Sequence, residues 1–238
     1  MRIDIWSDVT CPWCFIGKKR LEKALEAFPH RDEVEIVHRS FQLDPAAPKG
    51  EVHKQAEVLQ QKYGMDANRV REMIDNVERT GAGEGLDMRL QDGLTGNTWN
   101  AHRVLHLARE KGIQDKVLER LYKAHFTENL NVFEVEPLIR VAVEGGLDEA
   151  DVREVLEAGR YDDAIQADVR EAQGIGVRGV PFFVIDRRYG VSGAQPKEAF
   201  AEVLEKAWSE SHPVQLVQTG DGSADACGPD GCELPRKN

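Results

Sequence analysis

Two cysteines, Cys11 and Cys14, stand where a strand-like run hands over to a helix-like one, and this junction restricts the chain more than any other feature of its sequence. Ile3 to Trp6 read as a short apolar strand, and after the cysteines Phe15, Leu21, Leu25 and Phe28 recur with helical spacing until Pro29. Pro12 is shaped for a first helical turn and lacks the amide hydrogen that such a turn leaves unbonded. The spacing therefore puts Cys11 at a helix N-terminus, where free amides and the positive end of the helix dipole favour a thiolate. Cys14 falls one turn later, within disulfide reach of Cys11. Half of a zinc site, or a pair of inert buried thiols, is the other reading of the same residues.

The pattern beyond this junction is that of an α/β chain. Val34, Ile36 and His38 alternate with Glu35, Val37 and Arg39, which suits a second strand lying parallel to the first across a helical crossover. Pro45, Pro48 and Gly50 break it. From 51 to 173 the period turns helical with no convincing strand: Ala101, Val104, Leu105 and Ala108 share one face, Val117, Leu118, Leu121, Tyr122 and His125 another. Asn97 or Thr98 opens the first of these helices, and Pro137 and Asp148 announce two more. Gly81, Gly83, Gly85, Gly93 and Gly96 look like a phosphate loop, but no Lys-Ser/Thr follows them, so they are read as a flexible connection. Strand character returns at Val180–Ile185 and Tyr189–Val191, with a turn over Asp186–Arg188, and a helix follows from Pro196 through Trp208.

The order β-α-β, helices, β-β-α is that of a thioredoxin fold interrupted in its middle. Residues 1–50 and 174–212 are assigned to the thioredoxin domain, 51–173 to an inserted all-helical domain, and 213–238 to a polar, Gly-rich, flexible tail. The tail carries Cys227 and Cys232 in a C-x4-C spacing, with Gly228 and Pro229 favouring a turn between them. A second redox pair, a local disulfide and a zinc site are all compatible with that spacing. When extended, the residues between Trp208 and Cys227 span up to ~60 Å, comparable with the ~45 Å diameter of a compact chain of this length, so the tail is long enough to reach Cys11.

Composition narrows the function. The 238 residues, 41% hydrophobic, are enough for a real core, and no apolar stretch approaches the ~20 residues needed to cross a bilayer. The opening residues alternate charge with bulk and offer no signal-peptide core, which predicts a cytoplasmic protein. A net charge of −11 opposes binding to nucleic acid. In a reducing compartment, four cysteines in two pairs point to catalysis or metal binding before structural bridging. His102 and His106 lie four apart on one helix as ligands can, but no third ligand is evident, so no metal is expected there. Trp99 and Arg103 are expected to line the cleft between the two domains. Asp8 is expected to cap the turn before Cys11.

The segment from Ser7 through Cys11-Pro12-Trp13-Cys14 to Lys18 is one of four matching stretches. The others are Asn97-Thr98 with Ala101-His102-Arg103, Val180-Pro181-Phe182, and Gly193-Ala194-Gln195-Pro196. Together they resemble the FrnE-type cytoplasmic proteins of the DsbA-like branch of the thioredoxin superfamily, over about residues 1–212. The resemblance implies disulfide oxidation, reduction or isomerisation without a cofactor, with Cys11 as attacking thiol, Cys14 as resolving thiol and Pro181 in cis. Val180, Pro12 and Trp13 would then meet the substrate, a protein or small-molecule thiol or disulfide, glutathione included. Kappa-type glutathione transferases and 2-hydroxychromene-2-carboxylate isomerases are the runner-up; they use a serine at the position of Cys11 and have no use for Cys14. A zinc-held interaction module using all four cysteines is the reading from a different class.

Overall fold

The computed structural model describes residues 1–213. Strand β1 (Arg2–Ser7) is followed by helix α1 (Pro12–Glu26) and strand β2 (Glu35–Ser40), and β1 and β2 pair in parallel with Ile3 opposite Ile36 and Ile5 opposite His38. After the insertion, β5 (Phe182–Ile185) pairs antiparallel with β1 and with β6 (Tyr189–Ser192), giving the sheet order β2-β1-β5-β6. Helix α9 (Lys197–Ser211) packs beside α1. Alternation sends Ile3 and Ile5 to one face of the sheet, where they meet Leu21, Ala24, Phe183, Ile185, Phe200 and Leu204 in an apolar core. The hairpin turn falls at Asp186 and Arg187, both with positive φ.

Between β2 and β5 lie α2 (Gln55–Tyr63), α3 (Ala67–Gly83), α4 (Trp99–Glu110), α5 (Gln114–Phe126), α6 (Val135–Glu144), α7 (Glu149–Ala158) and α8 (Asp162–Gly174). Asp148 caps α7 by accepting the amides of Ala150 and Asp151, as its position predicts. Two expectations for this region are corrected. It contains a small antiparallel pair, β3 (Val52–Lys54) and β4 (Leu94–Gly96), with Val52 opposite Gly96. Three residues are too few for alternation to register in a sequence. The glycine-rich run is not a loose connection either, because Gly81 and Gly83 lie inside α3 and Gly96 inside β4. At Gly96 a Cβ would come within 2.9 Å of the Phe133 ring, so close packing and not flexibility requires the glycine.

The insertion shares its core with the thiol end of the thioredoxin part. Val9, Cys11, Cys14, Phe15 and Ile16 belong to the same buried cluster as residues of α3 to α7, and the Phe15 ring stacks on Tyr122 at 5.0 Å. Ion pairs fasten this junction. Buried Lys18 on α1 meets Glu22, Asp115 (3.1 Å) and Glu119 (3.2 Å). Burial alone would discharge Lys18, but the three carboxylates outweigh it and raise its pKa. Asp168 on α8 accepts from Arg39 (2.9 Å) and from the Ser40 amide (3.0 Å), while its carbonyl takes the Trp6 indole N–H (2.9 Å). Among the described residues no helix is long and apolar enough to cross a membrane.

Candidate active site

Cys11 occupies the N-cap position of α1 in extended conformation, φ −94° and ψ 108°, and Pro12 opens the helix. The turn before it is held by the main chain: the Cys11 amide donates to the Asp8 carbonyl at 3.1 Å, and the Cys14 amide to the Cys11 carbonyl at 3.0 Å. The Cys11 thiol points at the Val180 carbonyl, 3.5 Å away, and the Val180–Pro181 peptide is cis. Pro181 reaches this place because residue 17 of α1 is glycine. A Cβ there would lie 3.0 Å from the Pro181 ring and 3.2 Å from Phe183. Both cysteines are free thiols.

Cys11, Pro12, Trp13 and Val180 line one cavity of about 310 Å³, whose far wall comes from α2 and α3 through Leu59, Ile74 and Val77. Trp13 is exposed at its rim, whereas Cys14 is buried on the inner side of the helix. Burial pushes the Cys14 thiol well above its ordinary pKa, the adjacent Cys11 sulfur adds to this, and a hydrogen bond from the Asp8 main chain opposes it. Cys11 is buried as well, so what separates the two thiols of the motif is that Cys11 lines the cavity and Cys14 does not.

Asp8 does not cap. Cys11 holds the N-cap position without any side-chain cap bond, and the Asp8 carboxyl instead accepts the Leu43 amide at 2.8 Å and faces His102 Nε2 at 3.3 Å. That nitrogen is also 3.0 Å from the Phe41 carbonyl, so it carries the hydrogen. The paired histidines of α4 therefore serve as buried ties to the thioredoxin part, His102 to Asp8 and Phe41 and His106 to Ser40 Oγ (3.1 Å), while His106 also meets Asp168 of α8 (3.3 Å). Among the described residues no cluster of histidine, cysteine and carboxylate side chains has the arrangement of a metal site. Trp99 lines a groove with Phe41 and Gln42 as expected, but Arg103 turns away and clasps Asp162 of α8 with two bonds of 2.7 and 2.8 Å.

Sequence reading missed two groups on α5. The Tyr122 hydroxyl and both ring nitrogens of His125 are buried without hydrogen-bond partners among the described residues. Burial raises the Tyr122 pKa, with added repulsion from Cys14 and Cys11, and burial lowers that of His125 to about 4. A histidine on the mostly apolar buried stripe of α5 is the one signal that marked His125. Cys227 and Cys232 lie outside the described residues.

Residues 2–205 match the family model of the DSBA-like thioredoxin domain. The chain belongs to this family. It is similar over 99% of its length to all of the probable DsbA oxidoreductase SCO1869 of Streptomyces coelicolor, at 48% identity and a TM-score of 0.86. The uncharacterized protein YwbO of Bacillus subtilis is 24% identical over 86% of this chain and 96% of its own. The cytosolic disulfide reductase DsbM of Pseudomonas aeruginosa, solved with GSH, has the same fold at 18% identity and a TM-score of 0.61, covering 87% of this chain and 99% of its own. At the level of the DsbA-like family the chain is a thiol-disulfide oxidoreductase.

Proposed function

We propose that this DsbA-like protein exchanges disulfides with proteins and small thiols through a mixed disulfide at Cys11 that Cys14 resolves. The observation that carries the reading is the asymmetry of the pair: both thiols are buried, but Cys11 lines the cavity with its Sγ against the Val180 carbonyl, whereas Cys14 does not line it. The Cys11 thiolate attacks one sulfur of a substrate disulfide, forming the mixed disulfide and releasing the other half as a thiolate that takes up a proton. Cys14 then loses its proton and attacks Cys11 Sγ, closing the Cys11–Cys14 disulfide and expelling the reduced second half. Substrate gains two electrons and the motif loses them. Run backwards, the same steps oxidise a dithiol, and attack without net loss isomerises.

Val180, Pro12 and Trp13 border the attacking sulfur and are the surfaces against which the substrate backbone lies, with Pro181 beneath it. Glutathione is a suitable electron partner, a reading supported by the fold shared with a glutathione-bound disulfide reductase, and a cytoplasmic setting agrees with that relative's description as cytosolic. Cys227 and Cys232 are proposed as a second redox pair exchanging with Cys11 and Cys14. The hydroxyl-based transferase and isomerase readings leave Cys14 without work. Metal analysis of reduced protein tests the zinc-module reading.

Insulin reduction with glutathione as reductant tests the proposal. Turnover is expected for the full chain and lost in Cys11→Ser; turnover that survives in Cys11→Ser contradicts it. Mass mapping of disulfides after limited oxidation, on the intact chain and on Cys227→Ser/Cys232→Ser, tests the second pair. Cross-links between the two motifs support it, and identical behaviour of both proteins removes it.

A further inference from the structure

The cavity at Cys11 continues. Past Leu43, Lys62 and Tyr63, which line both spaces, it meets a second groove of about 730 Å³ between the loop after β2 and helix α8. Its thirteen lining residues include Lys62, Arg170 and Arg178 and no aspartate or glutamate. The chain as a whole carries 42 acidic residues and a net charge of −11, so a carboxylate-free stretch bearing three cations is against its composition. Lys62, Arg170 and Arg178 are exposed, and none of them forms an ion pair among the described residues. Two arginines of the neighbouring helices are paired instead, Arg103 with Asp162 and Arg160 with Glu110 and Glu154.

The cleft is therefore graded. Beside the thiol its wall is mostly apolar, through Leu59, Ile74, Val77 and Leu90, with Asp44 its one carboxylate; farther on three cations and no carboxylate line it, together with the amides of Gln42, Gln166 and Gln173. The geometry points to a binding site for an extended segment of a protein disulfide, with an apolar residue next to the half-cystine and carboxylates farther along the same segment. This inference rests on Cys11 being the attacking thiol. Side-chain amides supply donors and acceptors to a peptide backbone, and a concave surface of one sign concentrates its field on a ligand of the other. A neutral substrate would use only the apolar end.

Rates of attack by the reduced full chain on peptide mixed disulfides test this. Three peptides share a leucine beside the half-cystine and differ farther along, where they carry Asp/Glu, Asn/Gln or Lys; hydroxyethyl disulfide is the uncharged control. The acidic peptide is expected to react about tenfold faster than the amide one at low salt, with the gap closing in about 0.5 M salt. Arg170→Glu/Arg178→Glu, on exposed positions, is expected to make the lysine peptide the best substrate and to leave the control rate unchanged. Equal rates for the three peptides, or an unaltered ranking in the double variant, overturn the inference. So does a double variant that slows only glutathione disulfide, or only exchange with Cys227 and Cys232, since the groove would then serve a small anion or the tail. If the control disulfide is not attacked at all, the assignment of Cys11 itself falls, which separates the two failures.

Discussion

Helix α1 is gripped by two regions that work differently. Its C-terminal half, through Leu21 and Ala24, sits in the apolar core of the sheet and α9, with Phe183, Phe200 and Leu204. Its N-terminal half, with both thiols, sits in the core of the insertion, where apolar contacts are mixed with buried polar ones: Lys18 with Asp115 and Glu119, Asp8 with His102, and the unpartnered Tyr122 and His125. Buried polar groups cost more than they return unless fully bonded, so the second arrangement is not the one that maximises stability. The difference teaches a division of labour. The sheet holds the helix, and the insertion sets the surroundings of the thiols.

The sharpest way to break this comparison is to damage each side and measure both stability and thiol chemistry. Phe200→Ala empties a fully buried site in the sheet core and is expected to cost about 3–5 kcal/mol in chemical denaturation. The folded fraction should still react at Cys11 at the rate of the parent protein. A changed rate would mean that the sheet core also tunes the thiols.

On the insertion side, His125 makes stability depend on pH. Its imidazole takes a proton near pH 6.5 when unfolded but only near about 4 when folded, so the unfolded state binds more protons between these values. Stability therefore falls as pH drops from about 6.5 to about 4, by about 3 kcal/mol in all, and is unaffected above that window. Denaturation midpoints of the parent and His125→Leu against pH check this; parallel curves would show that His125 does not titrate in this way.

The smallest effect is expected where the two regions meet. Gly17→Ala presses a methyl group against Pro181 and Phe183, at an expected cost of about 1–3 kcal/mol. Because it shifts α1 against the Val180–Pro181 segment, it should also slow turnover per folded molecule, unlike Phe200→Ala. Unchanged turnover would show that the spacing between Cys11 and Val180 is not critical.

What could be read in the sequence follows the same division. The sheet, its crossover and the hairpin were legible because Ile3 to Trp6 and Val34 to Arg39 read as short strands, Phe182 to Ile185 form a strand-like apolar run, and Pro12 and Pro181 mark special backbone positions. Cys11 and Cys14 were legible because their spacing is local. Asp8 was misread as a cap because its real partners, Leu43 and His102, lie 35 and 94 residues away and no local pattern points to them. His102 and His106 look like a ligand pair at helical spacing, yet each is a satisfied buried tie. The short strands β3 and β4 carry too few residues to show a period. The cationic groove draws on positions 62, 170 and 178, which only the fold brings together.

The most direct test of the central account, that the two thiols of one motif have different tasks, is trapping. Reduced Cys14→Ser and Cys11→Ser are mixed with an oxidised protein substrate, quenched by alkylation and resolved by mass. Cys14→Ser is expected to accumulate a covalent complex through Cys11, because attack remains while resolution is lost, and Cys11→Ser is expected to form none. Equal trapping by both variants, or trapping through Cys14 alone, would contradict the account.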